Sequence, residues 1–159
     1  MRARLRGWLL VFCGGVALGL PAAVMAGEPA NGFRYVQPGV LREMIRSGQV
    51  TFLDVREPDE FAAGHLPDAR NIPYDAVGSL APELPHDTPI VLYCIHSAHR
   101  AQAAARTLAG LGFDNLFVLE GGIVAWQAGG QTILASDPGR APTILPKGER
   151  CAALEKAGQ

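Results

Sequence analysis

The residues that could do covalent chemistry are concentrated in one short segment that begins with Cys94. This cysteine ends an apolar run, residues 90–93, and Arg100 opens an alanine-rich run of helix-forming residues. A tight turn from a strand into a helix can aim successive backbone N–H groups at one point, and the helix N-terminus adds its positive dipole end. Such a setting favours the thiolate over the thiol. The sequence therefore predicts a nucleophilic cysteine in an anion-binding cup.

The residues between Cys94 and Arg100 would form the wall of this cup. They are Ile95, His96, Ser97, Ala98 and His99. We expect their amides, Arg100 and either histidine when protonated to stabilise negative charge. Two other interpretations stay open: Cys94 as a small buried apolar residue, and Cys94, His96 and His99 as metal ligands. Because the ligand spacing is too crowded for a clear tetrahedral geometry, we predict no metal, and the chemistry needs no organic cofactor.

The rest of the sequence alternates short apolar runs with runs of helical periodicity. Strands are predicted at residues 33–36, 50–55, 71–72, 89–93 and 116–119, and helices at 38–47, 57–63, within 76–88, 100–108 and 121–126. This alternation predicts an α/β fold with a mostly parallel central sheet of about five strands and helices on both faces. In such sheets ligand sites lie at the carboxyl ends of the strands, where Cys94 is expected.

The first residues predict a targeting segment rather than part of the fold. Arg2, Arg4 and Arg6 precede an uncharged stretch, and small residues up to Ala26 form a plausible cleavage site. We interpret residues 1–26 as a secretory signal peptide, with a retained membrane anchor as the alternative. Export, to the periplasm in our interpretation, would leave residues 27–159. We divide these into a folded domain, residues 27–130, and an extended tail, residues 131–159, that is rich in proline and glycine.

Charge and cysteine content narrow the possible partners. Without the three N-terminal arginines the chain has 11 basic and 15 acidic residues, a net charge of −4. This balance argues against nucleic acid as a partner and against stable membrane association after signal cleavage. Cleavage would leave Cys94 and Cys151, too few for a disulfide scaffold. Cys151 is either an incidental thiol or a resolving partner for Cys94.

Three motifs resemble those of rhodanese-like domains. Residues 53–73, LDVREPDEFAAGHLPDARNIP, are similar to the N-terminal signature of that family, and residues 118–126, VLEGGIVAW, to its C-terminal signature. Between them, IVLYC at residues 90–94 followed by Arg100 resembles the active-site loop. The resemblance covers about residues 33–130 and implies the rhodanese-like fold. It also implies that Cys94 forms a persulfide, with residues 95–100 as its cradle.

By the same resemblance, Asp54 and Arg56 would lie at a neighbouring strand end. They could support the site, but we favour a structural ion pair. His65 is expected to order its own loop, and Trp126 to lie in the core.

The loop departs from the usual sulfurtransferase pattern in its length. From Cys94 to Arg100 it has seven residues, whereas the usual loop has six counted in the same way. Seven residues resemble phosphatases of the cell-cycle type and arsenate reductases, which usually have histidine before the cysteine where this chain has Tyr93. Those loops also commonly contain an acidic residue, and this one does not. We therefore expect a thiosulfate:cyanide-type sulfurtransferase, with a Cys-dependent phosphatase or arsenate reductase, or a non-catalytic binding or redox module, as alternatives.

The expected partners follow from this chemistry. A small-molecule donor such as thiosulfate would supply the sulfane sulfur, and cyanide, a small thiol or a thiol-carrying protein would accept it. We expect the loop amides and Arg100 to stabilise negative charge both when Cys94 takes sulfur from the donor and when it passes sulfur to the acceptor.

Overall fold

The computed structural model describes residues 31–48, 50–137 and 139. Its strands are Arg34–Val36 (β1), Thr51–Asp54 (β2), Arg70–Asn71 (β3), Ile90–Tyr93 (β4) and Leu116–Leu119 (β5). Its α-helices are Pro38–Ser47 (α1), Pro58–Ala63 (α2), Val77–Leu80 (α3), Arg100–Gly110 (α4) and Gly122–Ala128 (α5), and a 3-10 turn spans Ala81–Glu83. None of the helices in this described part is long and apolar enough to cross a bilayer.

The five strands form one parallel sheet in the order β1-β5-β4-β2-β3. The predicted α/β fold class and strand number are therefore confirmed. The central strands β4 and β5 are buried along their whole length, as expected of strands covered on both faces. Because all strands are parallel, the segments that follow them meet at one edge of the sheet, here called the carboxyl edge.

Successive side chains of β4 point to opposite faces of the sheet, and each face packs against its own apolar layer. Ile90 and Leu92 pack into the layer that contains α3 and α4, and Val91 and Tyr93 into the layer that contains α1 and α5. Cys94, the next residue, belongs to the first layer. The cysteine therefore lies on the face of the sheet that α4 covers.

The folded unit continues beyond the predicted boundary at residue 130. Ile133 is buried in the second apolar layer, Leu134 pairs with His65 in an antiparallel bridge, and the Ser136 N–H donates to the Ala62 carbonyl. The extended conformation was expected, but its packing was not, because a lone buried isoleucine in a polar stretch leaves no periodic signal. The predicted signal peptide and Cys151 lie outside the described residues.

Candidate active site

The catalytic segment predicted from the sequence is a loop that joins β4 to α4. Cys94 is 3% exposed at the end of β4, and Arg100 is the first residue of α4. Between them the side chains alternate in exposure: Ile95 and Ser97 are buried, whereas His96, Ala98 and His99 are exposed. The structure thus brings the predicted loop residues together around the end of one buried strand.

The carbonyl groups at the start of the loop are held by α5. The Ile123 N–H donates to the Cys94 carbonyl at 3.1 Å, and the Val124 N–H donates to the Ile95 carbonyl at 3.2 Å. In a trans peptide the N–H points away from the C=O of the same plane, and the described residues contain no cis peptide bond. The amides that follow these two carbonyls, those of Ile95 and His96, therefore point away from α5.

These amides remain available to an anion. Within the part of the chain that the structure describes, the backbone N–H groups of Ile95, His96, Ser97 and Ala98 have no hydrogen-bond acceptor. Ile95 and Ser97 are buried, and because buried N–H groups normally find an acceptor, their open amides beside Cys94 are typical of an anion-binding loop. The loop therefore carries the run of open amides that the predicted cup requires, and their binding of an anion stays a prediction.

Close packing by Gly122 fixes the position of the loop. Gly122 has φ +62°, and a Cβ at this position would collide with the carbonyl oxygens of Cys94 and Ile95. Only glycine combines this backbone conformation with so close an approach. The second glycine of the Gly121–Gly122 pair is therefore a part of the site that the sequence analysis had assigned only to a family signature.

The backbone of the loop changes direction at Ser97. It has φ +54°, a left-handed conformation that is unusual for a residue with a side chain, and it is 3% exposed. Its Oγ accepts from the Cys94 N–H at a long distance of 3.4 Å. The serine side chain thus lies inside the loop, over the residue that carries the thiol.

Arg100 is directed towards α2 by a partner that the sequence analysis did not identify. Its Nη1 donates to Glu60 Oε2 at 2.5 Å and its Nη2 to Glu60 Oε1 at 2.9 Å, with both residues buried. The Glu57 N–H also donates to Glu60 Oε2, at 3.1 Å, as part of a capping box at the start of α2. The guanidinium that was expected to bind the anion therefore has its two terminal nitrogens on a carboxylate.

The ionisation of Glu60 reflects this pairing. Burial alone would raise the pKa of Glu60, but the hydrogen bonds from Arg100 and from the Glu57 N–H, together with the positive charges of Arg100 and Arg56, lower it overall. Glu60 is thus a carboxylate at neutral pH. In the sequence, the spacing of Glu57 and Glu60 around Pro58 predicts the start of a helix. It gives no information about the pairing of Glu60 with Arg100.

Asp54 and Arg56 form a second buried ion pair at the end of β2. Arg56 Nε and Nη2 donate to the carboxylate of Asp54, and Nη2 also donates to the Gly64 carbonyl at 2.6 Å. Burial would lower the pKa of Arg56, but the hydrogen bond and charge of Asp54 raise it overall. The structure therefore places these residues in the ion pair that we favoured, as a brace between β2 and the turn after α2.

Tyr93 and His65 complete the surroundings. The hydroxyl of Tyr93 accepts from the Leu66 N–H at 3.1 Å, and burial, its largest influence, raises the pKa of Tyr93, so that it remains protonated. His65 Nδ1 lies 2.9 Å from the Phe61 carbonyl oxygen, and its ring stacks on that of Phe61. Trp126 is 5% exposed. His65 orders its own turn and Trp126 lies in the core, as predicted.

Fold and site together define an α/β domain with a cysteine at the base of an amide-lined loop. A family model of the rhodanese-like domain matches residues 37–129, and the chain belongs to this family. The thiosulfate sulfurtransferase GlpE of Ectopseudomonas mendocina is 31% identical over 96 residues, which are 60% of this chain and 86% of that protein. Uncharacterized protein YqhL of Bacillus subtilis is 40% identical over 86 residues, 53% of this chain and 68% of that protein.

Solved structures give the same result for the fold. The crystal structure of a rhodanese-related protein from Thermoplasma volcanium has a TM-score of 0.58 and 33% sequence identity, and covers 64% of this chain and 97% of that chain. The solution structure of a rhodanese-like domain from Anabaena has a TM-score of 0.59 and 26% identity, and covers 71% of this chain and 87% of that one. The predicted family is therefore confirmed.

Proposed function

We propose that the protein is a sulfurtransferase that carries sulfane sulfur as a persulfide on Cys94. The observation that carries this proposal is the fixed direction of the loop: α5 binds the carbonyls of Cys94 and Ile95, and four open amides follow. A persulfide is an anion at neutral pH and suits a site made of N–H donors. The similarity to the thiosulfate sulfurtransferase of Ectopseudomonas mendocina supports the same chemistry.

The proposed cycle has two displacement steps. The Cys94 thiolate attacks the outer sulfur of a donor such as thiosulfate; a new S–S bond forms, the donor's S–S bond breaks, and sulfite leaves with the electron pair. An acceptor, cyanide or a thiolate, then attacks the outer sulfur of the persulfide. The Cys94 thiolate leaves and the cycle closes, with the loop amides and the N-terminus of α4 stabilising negative charge throughout.

The pairing of Arg100 favours sulfur over phosphate or arsenate. A phosphoryl or arsenyl group in the loop would need positive charge against its oxygens, which is the function of arginine in such sites. Here Nη1 and Nη2 of Arg100 are bound by the buried carboxylate of Glu60. We therefore assign Arg100 the role of holding the end of the loop, and the amides the role of binding the anion.

A parallel activity panel tests this proposal. Wild type and Cys94→Ser are assayed with thiosulfate and cyanide, with a generic phosphate ester, and with arsenate. We expect thiosulfate:cyanide transfer in wild type and its loss in the variant, with the fold retained by circular dichroism. Turnover of the ester alone would replace the proposal with a phosphatase, and inactivity on every substrate would indicate a binding module.

We also propose that the protein acts after export. The support is the arginine-rich start and uncharged stretch of residues 1–26, together with small residues at the expected cleavage position. Cell fractionation followed by N-terminal sequencing tests this. A mature protein that begins at Gly27 in the periplasmic fraction is expected, and a full-length cytoplasmic protein would contradict export.

Cys151 is proposed as a resolving thiol. Ser136 bonds to Ala62 in α2, the helix whose Glu60 holds Arg100, and the twelve residues that follow Gly139, up to and including Cys151, can span on the order of 40 Å. Attack of the Cys151 thiolate on Sγ of the Cys94 persulfide would form a disulfide and release hydrosulfide. Non-reducing peptide mapping after donor treatment should show this disulfide, and its absence in the presence of a stable persulfide would contradict the role.

A further inference from the structure

Helix α2 carries Glu60, the residue that holds Arg100, yet apolar packing contributes little to the position of this helix. Among the described residues, neither of the two apolar layers includes a residue of α2, and only Glu60 and Ala63 of its six residues are buried. Because a helix of this length is not stable by itself, contacts at its two ends must fix it. At its start these contacts are the capping box and the ion pair with Arg100.

At its other end α2 is held by a segment that follows α5, residues 133–136, here called the strap. The Ser136 N–H donates at 3.1 Å to the carbonyl of Ala62, which lies in the last turn of α2, where carbonyls have no partner within the helix. Leu134 and His65 exchange two backbone hydrogen bonds of 2.8 Å in the turn after α2. Detaching the strap would therefore remove three hydrogen bonds from the end of α2 and its following turn.

One buried side chain anchors the strap to the domain. Ile133 is 7% exposed and packs into the layer that contains α1 and α5, whereas Leu134 is 44% exposed, Ala135 is half-buried and Ser136 is exposed. The strap lies beyond residues 37–129, the range matched by the family model. Burial of Ile133 is therefore the main apolar contact that keeps the hydrogen bonds to α2 in place.

We infer that Ile133 is a positioning residue for the active-site loop, because it anchors the strap that fixes α2, and α2 presents Glu60 to Arg100. Arg100 opens α4 and ends the loop that begins with Cys94. A displaced α2 would leave the buried guanidinium of Arg100 without this carboxylate, so the first turn of α4 and the loop amides would lose their fixed position. Only the activity measurement in the test below rests on the proposed function.

Two substitutions of the same kind on neighbouring residues test this inference in the full chain. Ile133→Asn buries an amide in an apolar layer and should release the strap. Leu134→Asn makes the same change at an exposed side chain and keeps the backbone bonds to His65, so it is the matched control. Ile133→Val retains a buried apolar side chain and should behave as wild type.

Hydrogen exchange measured by mass spectrometry reports on α2 independently of activity. In Ile133→Asn we expect the amides of residues 57–64 to exchange about tenfold faster, while those of β4 and β5 stay as protected as in wild type. A protein that is merely destabilised would show faster exchange in β4 and β5 as well.

The activity measurement uses thiosulfate and cyanide under conditions in which every variant is folded. In Ile133→Asn, kcat/KM for sulfur transfer should fall about tenfold, because the loop is no longer held in one position. Leu134→Asn and Ile133→Val should stay within about twofold of wild type.

A second pair of variants applies if Ile133→Asn does not fold. Ser136→Pro removes the N–H that binds the Ala62 carbonyl, and it should raise exchange in residues 57–64 and lower kcat/KM in the same direction. Ala135→Pro is its control, because within the described part of the chain the Ala135 N–H donates no hydrogen bond.

Unchanged exchange at α2 when the strap is released would overturn the inference and leave sulfur transfer intact. Unchanged kcat/KM despite faster exchange, or equal effects of a variant and its control, would overturn it in the same way. A folded wild-type protein that transfers no sulfur would instead remove the proposed function, and the exchange measurement would still decide whether the strap fixes α2.

Discussion

The carboxylate of Glu60 and the guanidinium of Arg100 meet in two hydrogen bonds, at 2.5 and 2.9 Å, across forty residues of sequence. Both side chains are nearly inaccessible to solvent. The contact joins the start of α2 to the start of α4 and thus holds the end of the loop that runs from Cys94 to Arg100. In this respect the loop differs from anion-binding loops whose closing arginine points at the anion, because the terminal nitrogens of Arg100 bond to Glu60 instead.

Loss of the Glu60 charge should destabilise the protein strongly. Glu60→Gln leaves the buried guanidinium of Arg100 without its counter-ion, and we expect the free energy of unfolding in urea to fall by about 3 kcal/mol or more. The control is Glu43→Gln, which removes an exposed ion pair with Arg46 and should change stability by less than about 1 kcal/mol. Equal losses of unfolding free energy in the two variants would show that the buried ion pair stabilises the protein no more than the exposed one does.

The same carboxylate predicts a pH dependence of stability. Because the folded state lowers the pKa of Glu60, its contribution is complete above the unfolded value, about 4.3, and is lost as the pH falls through the folded pKa. The difference in unfolding free energy between wild type and Glu60→Gln should therefore be constant near neutral pH and shrink in acid. A difference that grows as the pH falls would contradict the direction of the shift.

Gly122 should control activity through the position of the loop. In Gly122→Ala the new Cβ meets the carbonyl oxygens of Cys94 and Ile95, so the loop must move, and we expect kcat/KM for sulfur transfer to fall about 100-fold. Gly130→Ala is the matched control: it also has a positive φ, +73°, but a Cβ there meets nothing within 4 Å. Similar activity losses in both variants would attribute the effect to backbone strain alone.

Ser97 should be replaceable by glycine with a gain in stability. Its φ of +54° is strained for serine, and Ser97→Gly should raise the melting temperature through relief of up to about 1 kcal/mol. Ser79→Gly, within α3, should lower it by a comparable amount, because glycine there adds backbone freedom to the unfolded chain and removes the hydrogen bond from Ser79 Oγ to the Ala76 carbonyl. A loss of stability in Ser97→Gly would mean that the hydroxyl contributes more than the strain removes.

Much of the scaffold could be predicted from sequence because its signals are local. The helix over Pro38–Ser47 and the strand over Leu116–Leu119 follow from periodicity and apolar runs, and both have the predicted limits. The short strand at Arg70–Asn71 was expected one residue later, at 71–72, because only two residues pair with β2 and leave almost no pattern. Cys94 was found for the same local reason, as the residue that ends an apolar run before a helix.

The parts of the site that were missed depend on contacts distant in sequence. Nothing around Glu60 indicates that its partner is Arg100, because a capping box explains the glutamate completely in local terms. The close approach of Gly122 to the Cys94 carbonyl likewise appears only when β5 and α5 are placed beside β4. Anion binding was assigned to Arg100 from its place before the helix and from the family resemblance, and the buried carboxylate of Glu60 that binds its terminal nitrogens appears only in the tertiary structure.

The most direct test of the persulfide proposal is intact-protein mass spectrometry after brief treatment with a sulfane-sulfur donor. Wild type should gain the mass of one sulfur atom, peptide mapping should locate it on Cys94, and cyanide should remove it as thiocyanate. Cys94→Ser should gain nothing under the same conditions. Sulfur that maps to another residue, or wild type that stays unmodified after treatment with thiosulfate, would contradict the proposal.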